Sequence, residues 1–196
     1  MTQLVVATGN PGKLKEMQAY LDGSGWELTL KPADLDVEET GTTFLENARL
    51  KATQVAIATN QWAIADDSGL AVDALDGAPG LYSSRYGKTD EERIAKLLAA
   101  LGDRPDRSAA FICALVLSRP DGTVALETEA QCPGEITRAM SGVGGFGYDP
   151  IFYVPEVGLT FAEMAKEQKR KVGHRGRAFD EILKPMQELC PDVSPS

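Results

Sequence analysis

Along the first half of the chain the apolar positions switch between two repeats, and each switch marks an expected element. The run Leu4-Val5-Val6-Ala7 is short and apolar and reads as a strand. Residues 14–21, which follow it, carry apolar side chains at helical spacing. Residues 26–31, 62–65 and 70–75 read as strands, and 109–119 and 123–131 flank Pro120-Asp121-Gly122 as a long antiparallel hairpin. Thr43-Phe44-Leu45-Glu46, Thr89-Asp90-Glu91-Glu92 and Thr160-Phe161-Ala162-Glu163 each have the form of a capping box and predict three helix starts. A last helix is expected over about 177–189, with Pro185 kinking it or ending it early. Helices and strands alternate early and strands pair later, so the expected fold is α/β with a mixed sheet flanked by helices.

Composition narrows the partners. A chain of 196 residues can bury a sizeable core as one domain or as two closely joined lobes. Its formal net charge of −9 argues against a nucleic-acid partner, so any anionic ligand is expected to be small and met by a local basic cluster or a metal. Cys113, Cys132 and Cys190 are odd in number and lack CxxC spacing, which supports neither a disulfide framework nor a zinc site. No signal-peptide pattern and no apolar run of membrane-spanning length is present, so a cytoplasmic protein is expected, with residues 191–196 as an untethered, flexible tail.

Candidate chemistry begins at Thr8-Gly9-Asn10-Pro11-Gly12-Lys13, where the first strand runs into a helix N-terminus. Asn10 is a favoured N-cap, Pro11 suits the first helical position, and the glycines let a ligand approach the backbone. Amide donors and the helix dipole there favour phosphate, and Lys13 adds a full charge. The spacing is too short for a Walker A loop, and Leu14 stands where that motif needs a hydroxyl. An ordinary, well-capped turn is the competing reading.

Two acidic pairs, Glu38-Glu39 and Asp66-Asp67, stand at the apparent ends of apolar segments. Hard oxygen ligands of this kind suit Mg²⁺, and because neighbours in an extended segment face opposite ways, one of each pair is expected to reach it. The alternative is that they are solvated loop acids. Lys51, seven residues after Phe44, occupies an inward position of its helix and so either snorkels outward or meets an anion.

Residues 142–147 spell GxGxxG, but Tyr148-Asp149-Pro150 and a strand follow instead of a helix, which rules out a dinucleotide fingerprint. A glycine-rich loop presenting Phe146 and Asp149 to a flat ligand fits better, since an aromatic face stacks on a base and a carboxylate accepts from a purine N1–H. A flexible turn with a core-seeking Phe is the alternative. His174, the sole histidine, lies in the dense basic run Lys169-Arg170-Lys171-Val172-Gly173-His174-Arg175-Gly176-Arg177, whose donors suit base carbonyls or phosphates.

Taken together, Thr8-Gly9-Asn10 with Lys13 and Glu16, Glu38-Glu39-Thr40-Gly41 with Thr43-Phe44 and Glu46-Asn47-Ala48, Ala65-Asp66-Asp67-Ser68-Gly69-Leu70, Gly77-Ala78-Pro79-Gly80, Gly144-Gly145-Phe146-Gly147-Tyr148-Asp149-Pro150 and His174-Arg175-Gly176 resemble the inosine/xanthosine triphosphate pyrophosphatase family, RdgB type. The match spans nearly the whole chain. It implies one domain over residues 1–190, built as an elongated two-lobed α/β fold with a substrate groove between the lobes, and a homodimer. It also implies Mg²⁺-dependent hydrolysis of ITP, dITP and XTP to monophosphate and pyrophosphate, clearing deaminated purines from the nucleotide pool.

Position by position, the resemblance puts Thr8, Gly9, Asn10, Pro11, Gly12 and Lys13 on the triphosphate, with Lys51 a further phosphate contact. Glu38 and Asp67 become metal carboxylates, Asp67 is the proton acceptor, and Ser68 touches substrate. Phe146, Gly147, Tyr148 and Asp149 line the base, and Lys169, His174 and Arg175 complete its recognition. One departure is Gly173, where the family usually has Ser. Maf-type pyrophosphatases and a non-catalytic nucleotide sensor are the other readings; the Gly-Phe-Gly-Tyr-Asp-Pro and His-Arg-Gly segments speak against the first, the acidic pairs against the second.

Overall fold

The computed structural model describes residues 2–190, so the expected tail at 191–196 lies outside the described residues. Strands and helices follow in the order β1 (Thr2–Val6), α1 (Pro11–Leu21), β2 (Trp26–Leu30), α2 (Phe44–Thr59), β3 (Trp62–Val72), α3 (Asp90–Leu101), β4 (Ser108–Ser118), β5 (Val124–Ile136), β6 (Phe152–Val154), β7 (Leu159–Thr160), α4 (Lys166–Val172) and α5 (His174–Leu189). Short 3-10 helices at Asp73–Leu75, Gly80–Arg85 and Asp149–Ile151 join some of them.

One seven-stranded sheet has the order β2-β1-β3-β4-β5-β6-β7. β1 pairs in parallel with both β2 and β3, while β5, β6 and β7 pair antiparallel. β4 and β5 form the expected hairpin, closed by Arg119 N–H donating to Thr123 O at 2.9 Å. The sheet is therefore mixed, as the pattern predicts.

By compactness the chain divides into two units. Among the described residues the first comprises 2–67, Cys113–Ala130 and 178–190; the second comprises Ser68–Ile112 and Gln131–Arg177. The first unit's core shows strand periodicity directly. Leu4 and Val6, Ile64, and Cys113, Leu115 and Leu117 pack with Met17 and Leu21 of α1 and Phe179, Ile182 and Met186 of α5. Their neighbours Val5, Ala7, Ala63, Ala65, Ala114 and Val116 pack with Ala48, Ala52, Val55 and Ala56 of α2. Alternate side chains leave opposite faces of a strand, so each face acquires its own helix layer. The second unit's core gathers Leu70 and Val72, the α3 face Ile94, Leu97 and Leu101, and the aromatic group Phe111, Phe152 and Phe161.

Three local expectations change. β3 is one strand through Asp66-Asp67-Ser68-Gly69, not two strands with the acids at an end. Both carboxylates are paired there, which removes the usual penalty for charge inside a strand. Thr160 starts no helix: its amide donates to Glu163 Oε2 at 2.8 Å, as in a capping box, but its hydroxyl donates to Ser141 O at 2.8 Å. The cap is spent on a neighbouring loop, the segment closes as a turn, and α4 begins later at Lys166. α5 starts at His174 and runs through Pro185 without ending early. Ile182 and Met186, four apart on its buried face, hold it across the proline, and Met186 O accepts the Trp26 indole N–H at 3.1 Å.

Candidate active site

The first turn of α1 is capped by Asn10, whose Oδ1 accepts from Gly12 N–H at 2.9 Å and Lys13 N–H at 3.3 Å. Two of the amides expected to face an anion are thus already satisfied. Thr8 Oγ1 accepts from Asn10 N–H at 3.1 Å, bracing the cap. A side chain built at Gly9 would meet no protein atom within 4 Å, so packing does not demand the glycine there.

Lys13 reaches across to β3 and forms an ion pair with Asp66 Oδ1. The other Asp66 oxygen takes the Cys113 thiol from β4 at 3.1 Å. Lys51 resolves the choice posed by its inward position: it meets anions. Its Nζ lies 2.7 Å from Asp67 Oδ1, 3.1 Å from Glu39 Oε1 and 2.8 Å from the Asp66 carbonyl oxygen. Adjacent aspartates on β3 therefore take different lysines, as strand alternation requires. Burial pushes the Asp67 carboxyl above the usual aspartate range although Lys51 and Lys13 pull it back. Burial likewise works against the Lys51 charge, but Asp67, Glu39 and Asp66 outweigh it and raise the ammonium above the usual lysine range.

Glu38 is exposed, whereas its neighbour Glu39 joins the lysine. Of the acidic pairs the expectation selected Glu38 and Asp67; the structure adds Glu39, Asp66 and Cys113 to the group. Only in the glutamate pair does one member stay outside: Asp66 and Asp67 are both buried, and each meets a lysine.

A second group lies in the other unit. Asp149 is buried, and its Oδ2 accepts from Phe146 N–H at 2.9 Å and from Lys169 Nζ at 2.7 Å. Lys169 Nζ also stands 5.0 Å from the Phe146 ring centroid and 5.3 Å from that of Phe161, at cation–π distance. The glycine-rich loop is tightly built. A Cβ at Gly145 would lie 1.8 Å from Asp149 Oδ2, and Gly144 N–H donates to Ala162 O at 3.0 Å. Phe146 is partly exposed, while Tyr148 is buried with its hydroxyl on Ser83 O at 2.9 Å. Burial pushes the Tyr148 phenol well above its usual range, so it stays a hydrogen-bond donor.

His174 and Arg175 open α5 and are both buried. The His174 ring stacks on Phe111 at 4.7 Å with 10° between planes, and Arg175 Nη2 donates to Ser68 Oγ at 2.9 Å. Gly173 also has a packing reason: a Cβ there would come 2.6 Å from the Lys169 carbonyl oxygen, where α4 hands over to α5.

Among the described residues no helix is long and apolar enough to cross a membrane, and no three His, Cys, Asp or Glu side chains converge as a ready-made metal site.

Comparison with known proteins covers almost the entire chain. A Synechocystis protein named dITP/XTP pyrophosphatase is 64% identical over 183 residues, 93% of this chain and 94% of its own length. A Nostoc protein of the same name is 62% identical over 186 residues, 95% of each chain. Among solved structures, a HAM1 protein from Coxiella burnetii aligns at a TM-score of 0.87 and 43% identity, covering 96% of this chain and 100% of that one. The Ham1 family model matches residues 4–185, which include both clusters, and the chain belongs to the Ham1 family.

Proposed function

We propose that this protein hydrolyses non-standard purine nucleoside triphosphates, dITP, ITP and XTP, to the monophosphate and pyrophosphate. The observation that carries the assignment is the near full-length identity to proteins named dITP/XTP pyrophosphatase. Its physical support is the division of labour between the two clusters, one charged and one aromatic.

Phosphoryl transfer is mostly a matter of charge and position, and the first unit holds what that needs. Lys13 and Lys51 are the cations for the phosphate oxygens, and the Thr8–Lys13 turn, with open space beside Gly9, receives the triphosphate tail. Three carboxylates, those of Glu39, Asp66 and Asp67, surround two lysines, which leaves an anionic excess. A donor set of carboxylates beside bound phosphates fits Mg²⁺, which takes one or two protein carboxylates and completes its shell with water and phosphate oxygens. Glu38 and Asp67 are the proposed ligands, with Glu39 and Asp66 beside them. When bound, the ion supplies Lewis-acid polarisation of the phosphate and acidification of water. Asp67, raised by burial, is a stronger base than a solvated aspartate and takes the proton of the attacking water.

Base selection belongs to the second unit. Phe146 stacks on the purine, and Lys169, His174 and Arg175 offer donors toward O6 while Asp149 accepts from N1–H. Adenine reverses both groups at that edge, so binding it would leave buried charges unmatched. The active form is proposed to be a homodimer working in the cytoplasm, its role the removal of deaminated purines. An assay of pyrophosphate release from dITP, ITP, XTP, GTP, ATP and UTP, with and without Mg²⁺, tests the assignment. Pyrophosphate from the first three only in the presence of the metal is expected; stepwise release of orthophosphate defeats it.

A further inference from the structure

Two consecutive amides in the loop that carries Phe146 are each held by a carboxylate, and one of those carboxylates comes from far away in sequence. Phe146 N–H donates to Asp149 Oδ2 at 2.9 Å. Gly147 N–H donates to Asp90 Oδ2 at 2.7 Å. Asp90 is the first residue of α3, where an acid ordinarily serves the helix dipole. Yet that terminus is already furnished. Thr89 Oγ1 accepts from Glu92 N–H at 3.2 Å, and Glu92 Oε2 accepts from Lys88 N–H at 2.8 Å.

The Asp90 carboxylate is oriented at both oxygens. While Oδ2 takes the loop amide, Oδ1 takes Arg93 Nη1 at 2.5 Å, and Arg93 Nε is itself anchored on Gly87 O at 3.1 Å. A charged acceptor on an N–H makes a bond about twice as strong as a neutral one. Gly147 needs such a restraint. Its φ is +61°, and no protein atom lies within 4 Å of where a Cβ would be, so side-chain packing does not fix its backbone. The following residue, Tyr148, is anchored through its hydroxyl on Ser83, which leaves Gly147 as the joint between the anchored tyrosine and the Phe146 ring.

We propose that Asp90 is a positioning residue for the nucleobase: by holding Gly147 N–H it fixes the plane in which Phe146 is presented. The assignment rests on the base stacking on Phe146, as proposed above. Asp90 touches no substrate and acts only through the loop.

The test is a double-mutant cycle of Asp90→Ala with Phe146→Ala, with Asp90→Asn alongside, read as KM and kcat on dITP and as inhibition by inorganic tripolyphosphate, which has no base. Asp90→Ala should raise KM roughly three- to tenfold and leave kcat and tripolyphosphate inhibition within about twofold, and it should add nothing in the Phe146→Ala background. Asp90→Asn keeps an acceptor toward Gly147 and should recover most of the loss, so a folding defect specific to Ala would not mask the effect. Equal KM penalties in both backgrounds, a parallel loss of kcat and tripolyphosphate affinity, or an unchanged KM overturns the assignment. If Phe146→Ala itself leaves KM unchanged, the stacking proposal fails first and Asp90 falls with it. A strong Phe146→Ala effect beside an inert Asp90→Ala removes Asp90 alone.

Discussion

The charged cluster around Lys51 and the aromatic cluster around Phe146 differ in what their carboxylates hold besides a cation. In the first, carboxylates from β3 and from the segment before α2 crowd two lysines, and every carboxylate–lysine contact is side chain to side chain, with the Asp66 carbonyl oxygen as one further acceptor for Lys51. In the second, Asp149 and Asp90 pair with Lys169 and Arg93 but each also grips one of two consecutive backbone amides, and Lys169 lies against ring faces as well. Side-chain ion pairs can be exchanged for a ligand's charges without moving the chain, because another anion or cation takes over the partner. Carboxylates that grip a backbone cannot be exchanged without moving the loop. The first cluster is therefore suited to a highly charged group whose bonds change during reaction. The second is suited to a flat, neutral group that must be held at one angle.

The largest effect should come from Asp67. Asp67→Asn keeps the shape but removes both the basicity and the negative charge beside Lys51, and kcat should fall by roughly two orders of magnitude or more. Circular dichroism would confirm that the fold survives. Near-normal turnover in a folded variant would take Asp67 out of the mechanism and erase the chemical half of the comparison.

Lys51 comes next and is read out in stability. Its side chain is 13% exposed and its partners are buried or half-buried carboxylates, so Lys51→Met strands anions inside the fold and should cost about 3 kcal/mol in urea unfolding. The pH dependence has a definite sign. A lysine raised in the folded state contributes its full stabilisation below the unfolded value of about 10.4 and loses it as pH climbs through the folded value. On the alkaline side the gap between wild type and variant should thus persist from neutrality until strong alkali removes the Lys51 proton. A gap that closes near neutral pH would place the Lys51 charge outside the cluster.

How far these two clusters are legible in the sequence differs for the same physical reason. Lys51 can be singled out because helical periodicity makes a lysine at an inward position conspicuous, and the Thr43 and Thr89 caps are local enough to place α2 and α3. Asp66 and Cys113 escape, since their contact joins β3 to β4 and depends on strand order rather than on spacing. The apparent strand end at Asp66-Asp67 misleads because polarity normally ends a strand, and only the paired lysines let β3 continue. In the second unit the Gly-Phe-Gly-Tyr-Asp-Pro run announces a special loop. Nothing local announces Asp90, which looks like an ordinary first-turn acid until Gly147 is seen against it. Thr160 errs in the other direction, its cap diverted to Ser141.

A smaller effect is expected from the aromatic side. Phe146→Ala removes a stacking face without touching charge, so it should weaken dITP, ITP and XTP together by about 1–3 kcal/mol in kcat/KM. A loss confined to one base would mean that the ring reads an edge instead of a face, and the contrast between the two clusters would need redrawing.

The smallest effect tests whether burial or geometry gives the Lys51 cluster its weight. Arg49 lies on the same helix, two residues before Lys51, and makes a two-point contact with Glu127, Nε to Oε2 at 2.7 Å and Nη2 to Oε1 at 2.6 Å. By distance and directionality it is at least as good an ion pair as Lys51 with Asp67 at 2.7 Å. Its side chain, however, is 44% exposed and that of Glu127 35%, so water and salt compete for both charges. Arg49→Ala should therefore change unfolding free energy by only about 0.5 kcal/mol, shrink further in high salt, and leave kcat on dITP unaltered. Should Arg49→Ala instead match Lys51→Met in cost, geometry and not burial would govern both pairs, and the Lys51 cluster would lose its claim to be energetically distinct from the surface of its own helix.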